Sequence, residues 1–362
     1  MIAPDGFADG HGTVALIEGA AAGAATCPQH RQAPARPPVR VKRHARGLPL
    51  KVGTRGSPLA LAQTRSFLRL LTDFCPVLRG MDVFQEHAIR TTGDATQASG
   101  VRLADIGGKE LFAKEIHEAL LDGRVDVAVH SLKDLETELP PGIAIACTLA
   151  REDPSDTLVF GPSLEGNCAQ GPYGMLPAGA VIGTSSVRRQ AQLLHARPDL
   201  VVQTIRGNVH NRLDKVRRGE FAATLLAMAG LRRLGLEDEA SVVIDPAVMV
   251  PSACQGIIGI TARAEDTELL ELLGAIEDAD AKVASQAERS LLGALAGSCS
   301  TPAGAYARPL PDGALHVTGL VASMDGTFLL RRSLSGRRSD ARRLGTELGE
   351  SLRRDAPAGI FD

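Results

Sequence analysis

The chain has 362 residues, 44% of them hydrophobic and 23% charged, with a formal net charge of -2. That length implies two or three domains, because single cores rarely grow beyond about 250–300 residues. Acids slightly outnumber bases, Trp is absent and Tyr occurs twice, which argues against a nucleic-acid partner and against aromatic cages or base-stacking platforms.

Residues 1–47 are rich in Ala, Gly and Pro, with acids at Asp5, Asp9 and Glu18 followed by a basic run of Arg31, Arg36, Arg40, Lys42, Arg43 and Arg46. A secretory signal places its cations before the apolar stretch, and an organelle transit segment is poorer in acids. The segment is expected to be a disordered extension or the result of a start codon assigned too early, ahead of targeting or a functional arm. Ordered sequence is expected from about Leu48.

Leu50–Thr54 predicts a strand. Ser57 and Pro58 then suit the cap and first turn of a helix over 59–72, with Leu61, Phe67, Leu68 and Leu71 as its buried stripe. A second helix carries Ile116 and Leu120 and ends at Gly123, before a short apolar strand from Val125 to His130. Helix followed by buried strand, repeated, predicts a mainly parallel sheet with helices on its faces. The pattern recurs in strand 180–182, a Gly183–Ser186 turn, a helix to about His195, strand 201–204, an Arg206–Asn208 turn and a helix through Val216. Phe221–Ala229 predicts a buried strand opening into Gly230, Pro251–Gly256 a crossing between domains, and Ile257–Ile260 a strand beyond it. A helix over 283–295, strands near 303–309, 314–322 and 327–333, and a last helix over 338–353 predict a small α+β domain.

Arg55, Lys133, Asp134, Arg188, Arg189, Arg206 and Arg212 all sit where an apolar run turns into a loop or helix start. In open α/β sheets, ligands gather beyond the carboxyl ends of strands, where helix N-termini converge. Taken singly, each arginine reads as a surface residue on a helix start. Two adjacent cations in the first turn of the 186–195 helix oppose its dipole, and a compensating anion is the simplest remedy. Together the set predicts a site for a small ligand bearing several carboxylates or phosphates, held bidentately by guanidinium groups. Asp134 is the acid embedded in this set, suited to accept from a ligand N–H or to stabilise a developing cation, and its spacing equally fits a helix cap. The glycine loop before Lys109 lacks the spacing of a nucleotide phosphate loop. By itself it marks a mobile turn with one possible anion contact. The cysteines at 27, 75, 147, 168, 254 and 299 form neither a metal pattern nor a disulfide framework and fit a reducing compartment. Cys299 lies in a small, polar loop, less suited to core filling than Cys147. No apolar stretch is long enough to span a membrane.

Taken together, the chain resembles the porphobilinogen deaminases (hydroxymethylbilane synthases). The matching pieces are TRGSPLALAQ at 54–63, TTGD at 91–94, IGGKELFAKEI at 106–116, DVAVHSLKD at 126–134 and REDPSD at 151–156. They continue with VIGTSSVRRQAQL at 181–193, IRGNVHNRL at 205–213, LAMAGLRRLGL at 226–236, QG at 255–256, AERSLL at 287–292 and the loop at 297–304. The resemblance implies an α/β fold of two periplasmic-binding-protein-like domains around a cleft plus a small α+β C-terminal domain. It maps domain 1 to 48–149 with 257–274, domain 2 to 154–250, and domain 3, with the cofactor cysteine, to 279–362. The implied activity joins four porphobilinogen molecules head to tail on a dipyrromethane cofactor held by a thioether to Cys299, releasing ammonia and hydroxymethylbilane for tetrapyrrole and heme biosynthesis. Asp134 and Lys133 match the catalytic positions. Arg188, Arg189, Arg206, Ser131, Thr184, Ser185 and Ser186 match the cofactor-binding set, and Arg55, Ser57, Arg206, Arg212 and Lys109 the substrate-binding set. No metal is implied, and a cytoplasmic monomer without nucleic-acid or membrane partners is expected.

Several positions depart from the family pattern. Glu110 stands in the glycine loop where glycine is usual, the 94–109 segment is about two residues long, and Asp105 replaces a lysine of some members. Glu136 stands where proline is common, Thr261 replaces a common glutamate, and Cys254 replaces a glycine. A β-carbon at Cys254 strains an interdomain hinge if that position uses positive φ. Intact-protein mass spectrometry is expected to show an excess of two deaminated pyrrole units that Cys299→Ala abolishes. A folded but unmodified protein from a porphobilinogen-producing host would contradict the anchor.

Overall fold

The computed structural model describes residues 48–95, 113–164, 171–295 and 301–361. Expectations placed on residues 1–47, Asp105, Lys109, Glu110 and Cys299 lie outside the described residues.

The first strand, β1 (Leu50–Arg55), leads into α1 (Pro58–Phe74). The Ser57 hydroxyl accepts from the Ala60 N–H at 3.3 Å, and Pro58 takes a position where its missing N–H costs nothing. Next come β2 (Phe84–Ile89), the short α2 (Thr92–Ala95), α3 (Lys114–Leu121), β3 (Val127–Ser131) and β4 (Ile143–Thr148). The chain crosses to a second set: β5 (Asp156–Phe160), β6 (Val181–Gly183), α4 (Val187–Ala196), β7 (Val201–Gln203), α5 (Val209–Arg217), β8 (Ala223–Ala227), α6 (Met228–Leu234) and β9 (Val242–Ile244). It returns as β10 (Ile258–Arg263) and α7 (Thr267–Gly274). It ends with α8 (Ala279–Leu295), β11 (Ala303–Pro309), β12 (Ala314–Ala322), β13 (Leu329–Arg337) and α9 (Ala341–Asp355).

The first sheet has the order β2-β1-β3-β10-β4 and the second the order β7-β6-β8-β5-β9. In each, three parallel strands are followed by one antiparallel strand, and that strand is the one entered directly from the other sheet. Two lobes with the same strand order, joined by two crossings, form the periplasmic-binding-protein-like pair, and the small third domain completes the fold. That domain is an antiparallel β11-β12-β13 sheet with one face buried against α8 and α9. The two helices approach so closely that a Cβ on Gly345 would lie 2.1 Å from Ala287 O. Among the described residues, no helix is long and apolar enough to cross a membrane.

The sheets are mixed rather than mainly parallel, because β5 and β10 enter from a crossing and not from a covering helix. The strand expected to open into Gly230 stops at Ala227. Gly230 lies inside α6, whose Met228 and Leu231 are buried, and faces Leu59 of α1. The buried face of α1 includes Gln63 and Thr64 beside Phe67 and Leu71, while Leu61 and Leu68 are only half-buried. The last strand starts at Leu329, since Asp325 accepts from the Ser323 and Thr327 hydroxyls and closes a turn around Gly326. Strands β2, β4, β5 and β9 had no sequence assignment.

The crossings lie side by side. The Glu152 N–H donates to Gly256 O at 3.0 Å and Arg151 Nε to Gln255 O at 2.8 Å. Cys254 has φ 62°, the left-handed conformation that a non-glycine residue occupies at a cost of about 1–2 kcal/mol. Its N–H donates to the carboxylate of Glu288, a fully buried α8 residue that also accepts from Arg151 and from the Ala307 N–H. One carboxylate of the third domain thus ties down both crossings. Glu288→Ala leaves Arg151 without its counter-charge and is expected to lower stability by about 3–5 kcal/mol in denaturant unfolding.

Candidate active site

Beyond β3 the chain makes a single 3-10 turn, Leu132–Asp134. Leu132 and Leu135 anchor it in a buried cluster with Ala113, Cys254, Ile257 and Ala281, and the Leu132 N–H donates to Ile257 O at 3.0 Å. With its apolar flanks held, the turn presents Lys133 and Asp134 at the carboxyl end of the first sheet. Asp134 lines a pocket with Arg55, Ser57, Gln63, His130 and Ser131. Ser131 is fixed by Gln63 at 2.8 Å. His130 Nε2 lies 2.9 Å from the Thr261 hydroxyl. Burial, then His117 and Arg55, push the His130 imidazole down to about 3, so it is neutral at ordinary pH and unsuited to take up a proton.

In the second sheet, the turns after β6 and β7 supply the cations. Ser186 caps α4 by accepting from the Arg189 N–H, Ser185 donates to Ile205 O at 2.5 Å, and Thr184 Oγ1 accepts from the Ser186 N–H at 3.2 Å. These hydroxyls brace the turn. Arg188 and Arg189 are not surface residues but are almost fully buried. Their counter-anion is within the protein: Asp156 accepts from Arg188 Nη1 at 2.6 Å, and from Arg189 Nε and Nη2 at 3.0 and 2.7 Å. Asp156 is the first residue of β5 and pairs with Ala227, the last of β8. An antiparallel strand thereby carries an acid to the carboxyl end of its neighbours. Burial pushes its carboxyl up, but Arg188 and Arg189 outweigh that and hold it far below the usual carboxylate range.

Two guanidinium groups against one carboxylate leave one positive charge, and further cations adjoin it. Arg206 is buried with Nη2 unpartnered, and Arg188 Nε is likewise unpartnered. Arg212 donates Nε to Gly207 O at 2.9 Å, and burial, then Arg189 and Arg206, push it down to about 10 while Asp134 opposes. Lys133 is pushed down to about 8, by burial first and then by Arg189 and Arg188 against the pull of Asp134 and Asp156. The two groups thus sense each other across the lobes: Lys133 with Arg188 and Arg189, Arg212 with Asp134. Sequence reasoning missed Asp156 and Gln255. Both lay within recognised segments, REDPSD and QG, but no local pattern marks an acid that pairs 32 residues away.

Two similar α/β lobes, with cations from both drawn to the ends of their strands beside Asp134, define a protein built to take an anionic small molecule. The comparisons name which. A family model described as "Porphobilinogen deaminase, dipyromethane cofactor binding domain" matches residues 50–271, and "Porphobilinogen deaminase, C-terminal domain" matches 282–354. A porphobilinogen deaminase of Sorangium cellulosum is 46% identical over 309 residues, covering 84% of this chain and 98% of that protein. One from Syntrophobacter fumaroxidans is 43% identical, covering 84% and 94%, and a chloroplastic one from Oryza sativa is 40% identical over 347 residues, covering 94% of each. The chain belongs to the porphobilinogen deaminase family.

Because Asp156 stays charged where an unfolded aspartate, with an ordinary value of 3.8, becomes protonated, its contribution to stability is complete above that value and is lost as pH falls below it. Asp156→Asn is expected to lower stability at neutral pH by about 3–5 kcal/mol and to flatten the acid side of the stability profile, measured by urea unfolding from pH 7 to 3.

Proposed function

We propose that Asp134 is the acid–base residue of the reaction, that Lys133 is its cationic partner, and that Arg188, Arg189, Arg206 and Arg212 hold carboxylates in the cleft. As a porphobilinogen deaminase, the protein joins four porphobilinogen molecules head to tail on a dipyrromethane cofactor and releases ammonia and hydroxymethylbilane. Every pyrrole of substrate and product carries an acetate and a propionate, so negative charge accumulates in the cleft with each addition.

The observation that carries the residue assignment is the excess of buried positive charge. Arg206 Nη2 and Arg188 Nε lack partners, and Arg212 is pushed down by burial first and then by Arg189 and Arg206. A dipyrromethane bears carboxylates that fit those donors. When bound, it supplies the free pyrrole α-carbon to which the first unit is joined, and Cys299 is the proposed thioether anchor. Thr184, Ser185, Ser186 and Ser131 are assigned to the cofactor as the residues that brace its cradle. Arg55, Ser57 and Lys109, with Arg206 and Arg212, are assigned to the incoming porphobilinogen. Asp134 accepts from its pyrrole N–H and stabilises the positive charge that develops as ammonia departs. It then receives the proton lost when the ring regains aromaticity, a role the neutral His130 does not fill.

The proposed domains are 48–149 with 257–274, 154–250 and 279–362, acting as a cytoplasmic monomer without a nucleic-acid partner. The net charge of -2 supports the last point, and the free thiols of Cys75 and Cys147 fit a reducing compartment. Asp134→Asn is expected to lower turnover about 10²–10⁴-fold while thermal unfolding stays near that of the parent. Porphobilinogen consumption and uroporphyrin formed after acid and oxidation provide the measure, and near-normal turnover in the folded variant overturns the assignment.

A further inference from the structure

Gln255 is buried in the crossing that leads to β10, and its side-chain amide touches both halves of the site. Its Oε1 accepts from Lys133 Nζ at 3.3 Å. Its Nε2 donates to Asp156 Oδ1 at 2.9 Å and to Pro154 O at 2.8 Å. Reversing the amide would set an NH2 group against an ammonium and a carbonyl against a carboxylate, so each end has one workable assignment. The backbone is equally committed: the Gln255 N–H donates to Ser252 O at 3.0 Å and its carbonyl accepts from Arg151 Nε at 2.8 Å.

We propose that Gln255 is a positioning residue for Lys133, relaying the negative charge of Asp156 as an oriented amide dipole that keeps the lysine charged and beside Asp134. This rests on the reading of Lys133 as the cationic partner of Asp134. The charged groups facing Lys133 are Asp134 on its own turn, Arg188 and Arg189 from α4, and Asp156 from β5. Burial and the two arginines drive its ammonium down to about 8, which leaves little margin above neutral pH. A neutral acceptor on the ammonium favours the charged form and raises the value. Removing it therefore lowers Lys133 further, and the charged fraction falls first at mildly alkaline pH. An amide serves better than an acid here, since a glutamate would set a second carboxylate against Asp156.

Gln255→Met keeps the length of the side chain and deletes both hydrogen-bonding ends. The alkaline limb of the kcat profile is expected to move down by about one pH unit, with KM for porphobilinogen changing less than kcat. Trace acetylation of Lys133 against pH, read by peptide mass spectrometry on the resting holoenzyme, is expected to show the same downward shift without any turnover. Gln255→Glu keeps an acceptor on Lys133 and makes it anionic, so both readouts are expected to move upward. That arm also serves if the Met variant does not fold. Lys133→Arg replaces the titrating ammonium with a group charged throughout, and the alkaline limb is expected to disappear. Unmoved acetylation and an unmoved limb in folded Gln255 variants overturn the proposal. An alkaline limb that survives Lys133→Arg instead overturns the role given to Lys133, while the acetylation shift still decides whether Gln255 tunes it.

Discussion

Two guanidinium groups are buried side by side at the start of α4, and the fully buried Asp156 carboxylate makes their burial tolerable. Desolvating a guanidinium without a partner costs several kcal/mol, so neither Arg188 nor Arg189 belongs in the interior without that acid. Asp156 reaches them because β5 runs antiparallel to β8, placing its first residue at the carboxyl end of the sheet. The topology of the crossing is therefore a condition of the electrostatics. One carboxylate for two cations keeps the region positive, and Arg206 and Arg212 extend that charge along the cleft.

The crossings also carry mechanical constraint. Cys254 adopts a left-handed conformation while its side chain packs beside Leu132 and Leu135, the residues that seat the Lys133–Asp134 turn. Its amide is held by Glu288 of the third domain. Gly256 follows at φ 89°, where a Cβ would lie 2.1 Å from Glu152 O. The next residue after Cys254 is Gln255, whose side chain spans Lys133 and Asp156. The crossings thus contain or adjoin the residues that set the charge balance of the site, and the third domain holds them through the buried Glu288 carboxylate.

Much of the local structure was legible in the chain. Ser57, Ser186 and Asn208 accept from the N–H three residues on, as cap residues should. The turns after 131, 183 and 205 fall where the apolar runs stop, and the segment resemblance pointed to the family. Elsewhere local patterns misled. The 221–229 run reads as one apolar strand, yet it divides at Ala227 because Met228 and Leu231 pack on one helical face. The last strand begins two residues later than its apolar pattern suggested, because a side-chain turn at Asp325 takes precedence.

By itself the sequence determined the caps at Ser57, Ser186 and Asn208 and the cationic character of the site. Those properties depend on neighbours within a few residues, and side-chain chemistry at that range is written in the order of the chain. Only the tertiary structure decided that the counter-anion of Arg188 and Arg189 is Asp156, that Gln255 bridges it to Lys133, and that Glu288 clamps the crossings. Each of these contacts joins groups 32 to 137 positions apart. Their energies depend on burial and orientation, which exist only once the two sheets have exchanged strands.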